Sequence, residues 1–299
     1  MRHIVSVSLG SSKRDKVLET EILGTPVRIE RRGTDGDKRR FQQLLQELDG
    51  KVDAIGLGGC DLHLWAQGRR YTFRDVQKLV SVVQHTPVVD GSGLKNTLER
   101  WAVERIEQKG LLDWSSQNVL LVSALDRFGM AEALAEKAGS VVFGDALFAL
   151  GLPLPIRDIR TLARLARVVL PVVVRLPFEW LYPVGEKQEQ NTPRWERYFR
   201  WADVIAGDWH YIHRYAPHDL SGKVMLTNTV RQADVQFLRE RGADLLLTTT
   251  PVFHGETFAT NVLEALIVAL SGSAELHESD YHLWLSRLGW DVGVVGVKL

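Results

Sequence analysis

The stretch Asn118–Asp145, NVLLVSALDRFGMAEALAEKAGSVVFGD, decides the fold class. Its first run, Val119–Ser123, is short, apolar and rich in branched side chains. Such a run reads as a strand buried on both faces, as in a parallel sheet covered by helices. Met130–Lys137 then carries apolar residues at helical spacing, and Val141–Asp145 repeats the buried-strand pattern. Strand, helix and strand in this order make a βαβ unit.

The same alternation extends in both directions. Buried-strand patterns recur at Ile4–Ser8, Val52–Leu57, Val88–Asp90, Val204–Asp208, Val224–Thr229 and Leu245–Thr249. Amphipathic stretches fill the intervals at Arg39–Leu48, Arg74–Gln84, Leu94–Gln108, Ala233–Arg241 and Asn261–Leu270. Two places break the pattern: Lys16–Leu23 with Val27–Arg31, and Leu62–Ala66 with Arg70–Phe73, both read as antiparallel hairpins. The expectation is an α/β protein of two Rossmann-like lobes with mostly parallel sheets, the N-terminal one mixed by its hairpins. The lobes are expected at 1–113 and 118–299. Residues 151–200, rich in proline and aromatics, read as an insertion over the cleft. The closing Asp291–Lys298 strand, too short to fold alone, is expected to return to the first lobe.

Composition narrows the function classes. Of 299 residues, Lys plus Arg number 37 and Asp plus Glu number 37, so the net charge is zero. That balance argues against nonspecific nucleic-acid or membrane-surface binding, although it leaves room for a local basic patch. One cysteine, Cys60, forms no intrachain disulfide and fits a reducing, cytoplasmic setting. The expected partner is a small molecule, with no nucleic acid and no membrane; a homodimer is compatible with the sequence.

Five constellations at strand ends could carry chemistry. In the first, Ser123, Asp126, Arg127 and Gly129 form the loop after one strand, and Asp145, 22 positions beyond Ser123, ends the next. An acid at that distance accepts ribose hydroxyls in dinucleotide-binding units, so NAD or NADP is the expected cofactor. Only one glycine of the G-x-G-x-x-G turn is present, however, and this loop reads more readily as a plain βαβ unit with Asp126 as helix cap. In the second, Asp90-Gly91-Ser92-Gly93-Leu94-Lys95-Asn96 follows a strand and opens a helix. Lys95 with Asp90 makes a workable acid–base pair, with Ser92 and Asn96 as substrate contacts. An anion cradle or a capped turn fits there too.

The third, Ser11-Ser12-Lys13-Arg14, suits a substrate anion or is simply a solvated loop. The fourth joins Asp208 and His210, read as hydrogen-bonding groups in preference to metal ligands; no metal is expected. The fifth gathers Asn228, Thr229 and Thr249 at two further strand ends, where amide and hydroxyls suit a ribose, a sugar or a polyol, or serve as caps. Cys60 reads as a small buried residue.

Several motifs carry a family resemblance: VSLGSSKRD at 7–15, VDAIGLGG at 52–59, VVDGSGLKNTLER at 88–100, SALDRFGMAEAL at 123–134, FGDALFALGLP at 143–153, YPVGEKQE at 182–189, WADVIAGDWHYI at 201–212, and TNTV at 227–230 with LLTTTP at 246–251. Together they resemble a bacterial family commonly labelled quinate 5-dehydrogenase, over nearly the whole chain. The resemblance implies NAD(P)-dependent oxidation of a ring hydroxyl of a polyol carboxylate, with an N-terminal substrate lobe and a C-terminal nucleotide lobe. The chain lacks the N-V-T-x-P-x-K segment and the G-A-G-G-A turn of the shikimate and quinate dehydrogenases proper, so Lys95 and Asp90 match their catalytic pair only by residue type. The leading expectation is an oxidoreductase on a small polyol carboxylate. The others are a non-redox protein that binds a nucleotide, nucleotide-sugar or metabolite, and a two-lobed transferase.

Overall fold

The computed structural model describes residues 1–177, 190–228, 230–250, 252–253, 256–257 and 259–296. The first lobe is built from β1 (Arg2–Ser8), β2 (Lys16–Ile22), β3 (Thr25–Gly33), α1 (Lys38–Leu48), β4 (Ala54–Gly58), β5 (His63–Ala66), β6 (Arg69–Thr72), α2 (Arg74–Val80), β7 (Val88–Val89) and α3 (Ser92–Gln108). Its sheet runs β2-β3-β1-β4-β7. β1, β3, β4 and β7 are parallel, and β2 pairs antiparallel with β3. Both expected hairpins form. Each turns on two consecutive residues with positive φ, Leu23-Gly24 and Gln67-Gly68, the two-residue geometry that matches strand twist. β5 and β6 stand apart as their own two-stranded ribbon.

The second lobe contains β8 (Asn118–Leu121), α4 (Phe128–Lys137), β9 (Ser140–Phe143), α5 (Asp145–Phe148), α6 (Ile159–Val173), α7 (Glu196–Trp201), β10 (Val204–Ala206), α8 (Trp209–Tyr215), β11 (Val224–Thr227), α9 (Gln232–Glu240) and β12 (Leu245–Thr248). A small ribbon of β13 (Val252–Phe253) and β14 (Glu256–Thr257) follows, then α10 (Thr260–Ser271), α11 (Glu278–Arg287) and β15 (Gly293–Gly296). The sheet order is β15-β12-β11-β10-β8-β9, parallel throughout except for β15. The chain is thus an α/β protein with two parallel-rich sheets.

The C-terminal quarter departs from expectation twice. β15 pairs antiparallel with β12, Val295 opposite Leu246, and so stays in the second sheet. The reason is the unpaired backbone edge that β12 would otherwise expose. It is α10 that returns to the first lobe. Every residue from Thr260 to Ala269 is buried, and a helix apolar on all sides needs protein on all sides. It finds that between β1 and β4 of the first sheet and helix α3. Its N-terminal Asn261 donates from Nδ2 to Ser6 Oγ at 2.8 Å.

Two glycines of the first lobe make room for α10. A side chain at Gly56 would meet the Asn261 carbonyl at 2.7 Å, and one at Gly91 would meet the Asn261 amide at 2.6 Å. Gly91 also holds φ at 91°, which costs a side-chain-bearing residue roughly 1–2 kcal/mol. Gly91→Ala combines that strain with overpacking of about 1–3 kcal/mol. Urea unfolding of the variant should therefore show a loss of at least about 2 kcal/mol; wild-type stability would show that α10 does not sit against this turn.

Candidate functional site

The strand orders locate the site before any side chain does. In the second sheet the chain passes from β8 to β9 on one side and then crosses to β10 on the other. The loops after β8 and β10 therefore part at a topological switch point, where open α/β sheets leave a crevice for ligands. Arg127 comes from the first of these loops and Asp208 from the second, and Arg127 Nη2 donates to Asp208 Oδ2 at 3.1 Å. The other side of the guanidinium meets α3: Arg127 Nη1 donates to Glu99 Oε1 in a close charged contact, with both side chains 1% exposed.

Around this ion chain lies a narrow pocket between the lobes with room for about one water molecule, lined by His63, Trp65, Ser92, Lys95, Asn96, Glu99, Asp126, Arg127 and Phe128. The pocket is more enclosed than open to solvent. Four side-chain atoms of lining residues are buried without a hydrogen-bond partner among the described residues, Glu99 Oε2, Asp126 Oδ1, Arg127 Nε and Trp65 Nε1, with Arg127 Nε 3.9 Å from Asp126 Oδ2. Lys95 Nζ stands 3.7 Å from Asp126 Oδ2.

The electrostatics follow from burial and from these partners. Burial pulls the Lys95 ammonium down, but Asp126 and Asp61 outweigh it and leave its pKa raised. Burial lifts the Glu99 carboxyl above its ordinary value against the pull of Arg127 and Lys95. Asp208 also feels burial, yet His210 and Arg127 hold it low. For His63, burial wins and favours the neutral ring.

Of the residues expected from sequence, Ser92, Lys95, Asn96, Asp126 and Arg127 meet in this pocket, and Asp208 joins them through Arg127. Asp208 also caps α8 by accepting the His210 amide at 2.9 Å, while the His210 side chain stays exposed.

Several expected roles need correction. Asp90 is not the partner of Lys95; Asp126 is. Asp90 accepts the amides of Leu62, His63 and Ser92 and the Ser92 hydroxyl, which anchors the ribbon's start to the start of α3. Asp145 does not present its carboxylate to a ribose. It accepts the amides of Ala124 and Leu125, the very donors a pyrophosphate would seek. Gly129 is a packing glycine, because a side chain there would collide with the Asn96 carbonyl of α3.

The anion expected at Ser11–Arg14 is supplied by the chain itself. Ser12 donates its amide and hydroxyl to Asp35, at 2.8 and 2.7 Å, and Lys13 and Arg14 remain exposed. Ser123 sits at the switch point, its hydroxyl 3.4 Å from the Asp208 amide. Asn228 and Thr249 lie at the ends of β11 and β12, away from the pocket lining; the Asn228 carbonyl accepts the Thr250 hydroxyl, and Thr229 is outside the described residues. Of the proline- and aromatic-rich 151–200 segment, no described residue lines the pocket. Among the described residues, no cluster of three or more His, Cys, Asp or Glu is arranged to hold a metal.

Sequence reasoning missed Glu99 and Trp65. A signal for Glu99 existed: Lys95 and Glu99 lie four residues apart, so they share the stripe of α3 beside buried Leu94 and Leu98. Glu264 was missed without any such signal. It reaches the start of α3 from a helix far away in sequence, accepting the amides of Gly91 and Leu94 and the Tyr281 hydroxyl.

Residues 93–296 match the family model described as "Domain of unknown function (DUF8754)", and residues 3–90 match the one described as "Domain of unknown function (DUF8753)". No curated protein matches. Similar solved structures include a sugar-binding protein of a sugar ABC transporter from Bacillus halodurans, with 10% identity, 99% of this chain and 97% of that one covered, and a TM-score of 0.38. An NAD-dependent malic enzyme from Thermotoga maritima has 12% identity, covers 83% of this chain and 65% of its own, and gives a TM-score of 0.34. At these scores the likenesses say nothing about ligand or activity.

Two buried carboxyls near the site set a pH dependence. Burial pushes Asp145 up to about 7, with Asp126 adding to it, and burial with neighbouring Asp90 pushes Glu264 up to about 7. Their ordinary values are 3.8 and 4.5, so between about pH 4 and pH 7 the folded chain binds more protons than the unfolded one. Their contribution to stability is complete below pH 4 and is lost as pH rises through 7. Glu30 and Asp49, held at about 2, act in the opposite sense below about pH 4.5, and His63 and His213, whose burial favours the neutral ring, do so up to about pH 6.5. A variant is therefore compared with the wild type at each pH. Asp145→Asn keeps an oxygen for both loop amides and removes one titration. Unfolding midpoints measured from pH 4.5 to 7.5 should fall with pH in the wild type and fall less steeply in the variant, by at most about 4 kcal/mol over the range. Parallel curves would show that Asp145 does not titrate there.

Proposed function

We propose that this chain, which belongs to the family described as a domain of unknown function (DUF8754), binds a small hydroxylated molecule at the mouth of the interlobe pocket. The supporting observation is the set of four unpartnered atoms. Buried polar groups are nearly always hydrogen-bonded, and leaving one unsatisfied costs about 1–3 kcal/mol. Glu99 Oε2 and Asp126 Oδ1 need donors, whereas Arg127 Nε and Trp65 Nε1 need acceptors. A hydroxyl is both, so one hydroxyl in the water-sized pocket offers a carboxylate oxygen a donor and an N–H an acceptor at once. A phosphate or a carboxylate meets only the second pair and faces Glu99, Asp126 and Asp208.

The finer reading is an oxidoreductase that moves a hydride between NAD(P) and a hydroxyl of a polyol carboxylate such as quinate. The buried position of Lys95 favours it. With its raised pKa, Lys95 is a charged donor to a substrate hydroxyl oxygen, and a charged hydrogen bond is worth about 1.5–3 kcal/mol. On this reading the dinucleotide lies elsewhere on the second lobe than the Ala124–Leu125 amides, which Asp145 holds.

Calorimetric titration with neutral polyols, sugar acids and both dinucleotides separates these readings. Binding of a hydroxylated compound is expected, weakened by roughly tenfold or more in Lys95→Met and in Asp126→Asn while circular dichroism stays unchanged. Hydride transfer to NAD(P) with one of these ligands, reduced at least a hundredfold by Lys95→Met, would establish the oxidoreductase. If no compound of any class binds the folded wild type, or if both variants bind as tightly as wild type, the pocket is not the site.

A further inference from the structure

The zero net charge conceals a segregated surface. Helix α6 buries Leu162, Ala163, Ala166 and Leu170 against the core. Its opposite face carries Arg160, Arg164, Arg167, Val168 and Val172, spaced i, i+4, i+7, i+8 and i+12, which is one helical stripe. All five are exposed, Val168 by 71% and Val172 by 55%, and Leu154 just before the helix is 59% exposed. From Ile159 to Arg175 there is no carboxylate; the N-cap Asp158 just before it lies close to Arg160. Arg167 bonds Gln67 at 2.7 Å, so the stripe is tied to the ribbon of β5 and β6 and presented on a fixed body.

We propose that this face of α6 docks on an anionic lipid surface. The interleaving of guanidinium groups with exposed aliphatic side chains favours that occupant. Near an anionic membrane basic side chains are drawn to the surface potential, and apolar residues between them enter the boundary of the headgroups and acyl chains. A nucleic acid would satisfy the arginines and leave Val168, Val172 and Leu154 facing water. A second copy placed symmetrically would set the arginine stripe against itself. Docking of this kind is peripheral, in keeping with the lack of any described helix long and apolar enough to cross a membrane.

Co-sedimentation of the full chain with phosphatidylcholine vesicles, with and without phosphatidylglycerol, tests the proposal. The wild type should pellet with the anionic vesicles at low salt, release in 0.5 M salt, and ignore the neutral ones. Arg160→Glu combined with Arg164→Glu, both exposed and outside the core, should lower the partition coefficient at least tenfold. Val168→Ser combined with Val172→Ser should lower it several-fold while the salt dependence persists. Circular dichroism of both variants verifies folding. The proposal is overturned by absence of binding to anionic vesicles, by equal binding to neutral ones, or by arginine variants that bind as wild type does. It is also overturned if duplex DNA strips the protein from vesicles and the valine variants bind vesicles normally, which would make the face a phosphate-binding one of another kind.

Discussion

The buried chain of charges Glu99–Arg127–Asp208 fixes how the two sheets meet. Arg127 is lifted from water almost completely, and burial alone would oppose its charge; Glu99, Asp126 and Asp208 more than reverse that and raise its pKa. Such a triad adds little net stability over an apolar replacement, but removing one member leaves an uncompensated buried charge that costs about 3–5 kcal/mol. What the triad does enforce is register. Glu99 belongs to the helix that closes the first lobe, Arg127 to the loop after β8, and Asp208 to the loop after β10, so one guanidinium aligns three elements at the switch point. The contact of Gly129 with the Asn96 carbonyl depends on the same alignment, and Lys95 and Asp126 are brought face to face by it. The pairs Arg100–Glu132 and Lys137–Glu107 continue the line along α3 and α4, but they are partly exposed and contribute little.

A second regularity runs through the structure. At four places where strand-end loops offer free amides, a carboxylate of the chain itself accepts them: Asp35 at Ser12, Asp90 at Leu62 and His63, Asp145 at Ala124 and Leu125, and Glu264 at Gly91 and Leu94. These are the donors that phosphate-binding folds leave open for ligands. Here they order loops. The interlobe pocket differs because there the unsatisfied atoms are side-chain atoms of both kinds, acceptors as well as donors. The chemistry on offer is thus that of hydroxyl recognition more than of anion capture.

That contrast explains what the sequence shows and what it hides. The strand–helix alternation is legible because burial on both faces demands unbroken apolar runs, and both hairpins are legible from their turn residues. Lys95, Asn96, Asp126 and Arg127 are legible as polar groups at strand ends. Their partners are not. Asp145 has the spacing of a ribose acceptor, yet spacing cannot say that its carboxylate turns inward to two amides of its own loop. Glu264 and Asn261 act on the first lobe across a separation that no local pattern reports. α6 was hidden by Pro171, which reads as a breaker. In the structure it falls in the last turn of the helix, where the lost bond to the Arg167 carbonyl and any kink affect only the end of the helix.

Net charge and local charge answer different questions. The sum over the chain sets the field felt at a distance, which a balanced protein lacks. At the length scale of about 8–10 Å over which salt screens charges, only neighbours count. Within that range the pocket holds Lys95 and Arg127 against Glu99, Asp126 and Asp208, a set with no cationic excess, while the outward stripe of α6 holds three arginines against the N-cap Asp158 of their own helix. The inner set of two cations and three carboxylates stays within one charge of balance because it is buried, where an unpaired charge is too costly to keep. The outer one can stay unbalanced because water screens it. Burial therefore sorts the charges: compensated groups gather at the junction of the lobes, and the surplus of one sign is tolerated only where solvent reaches it.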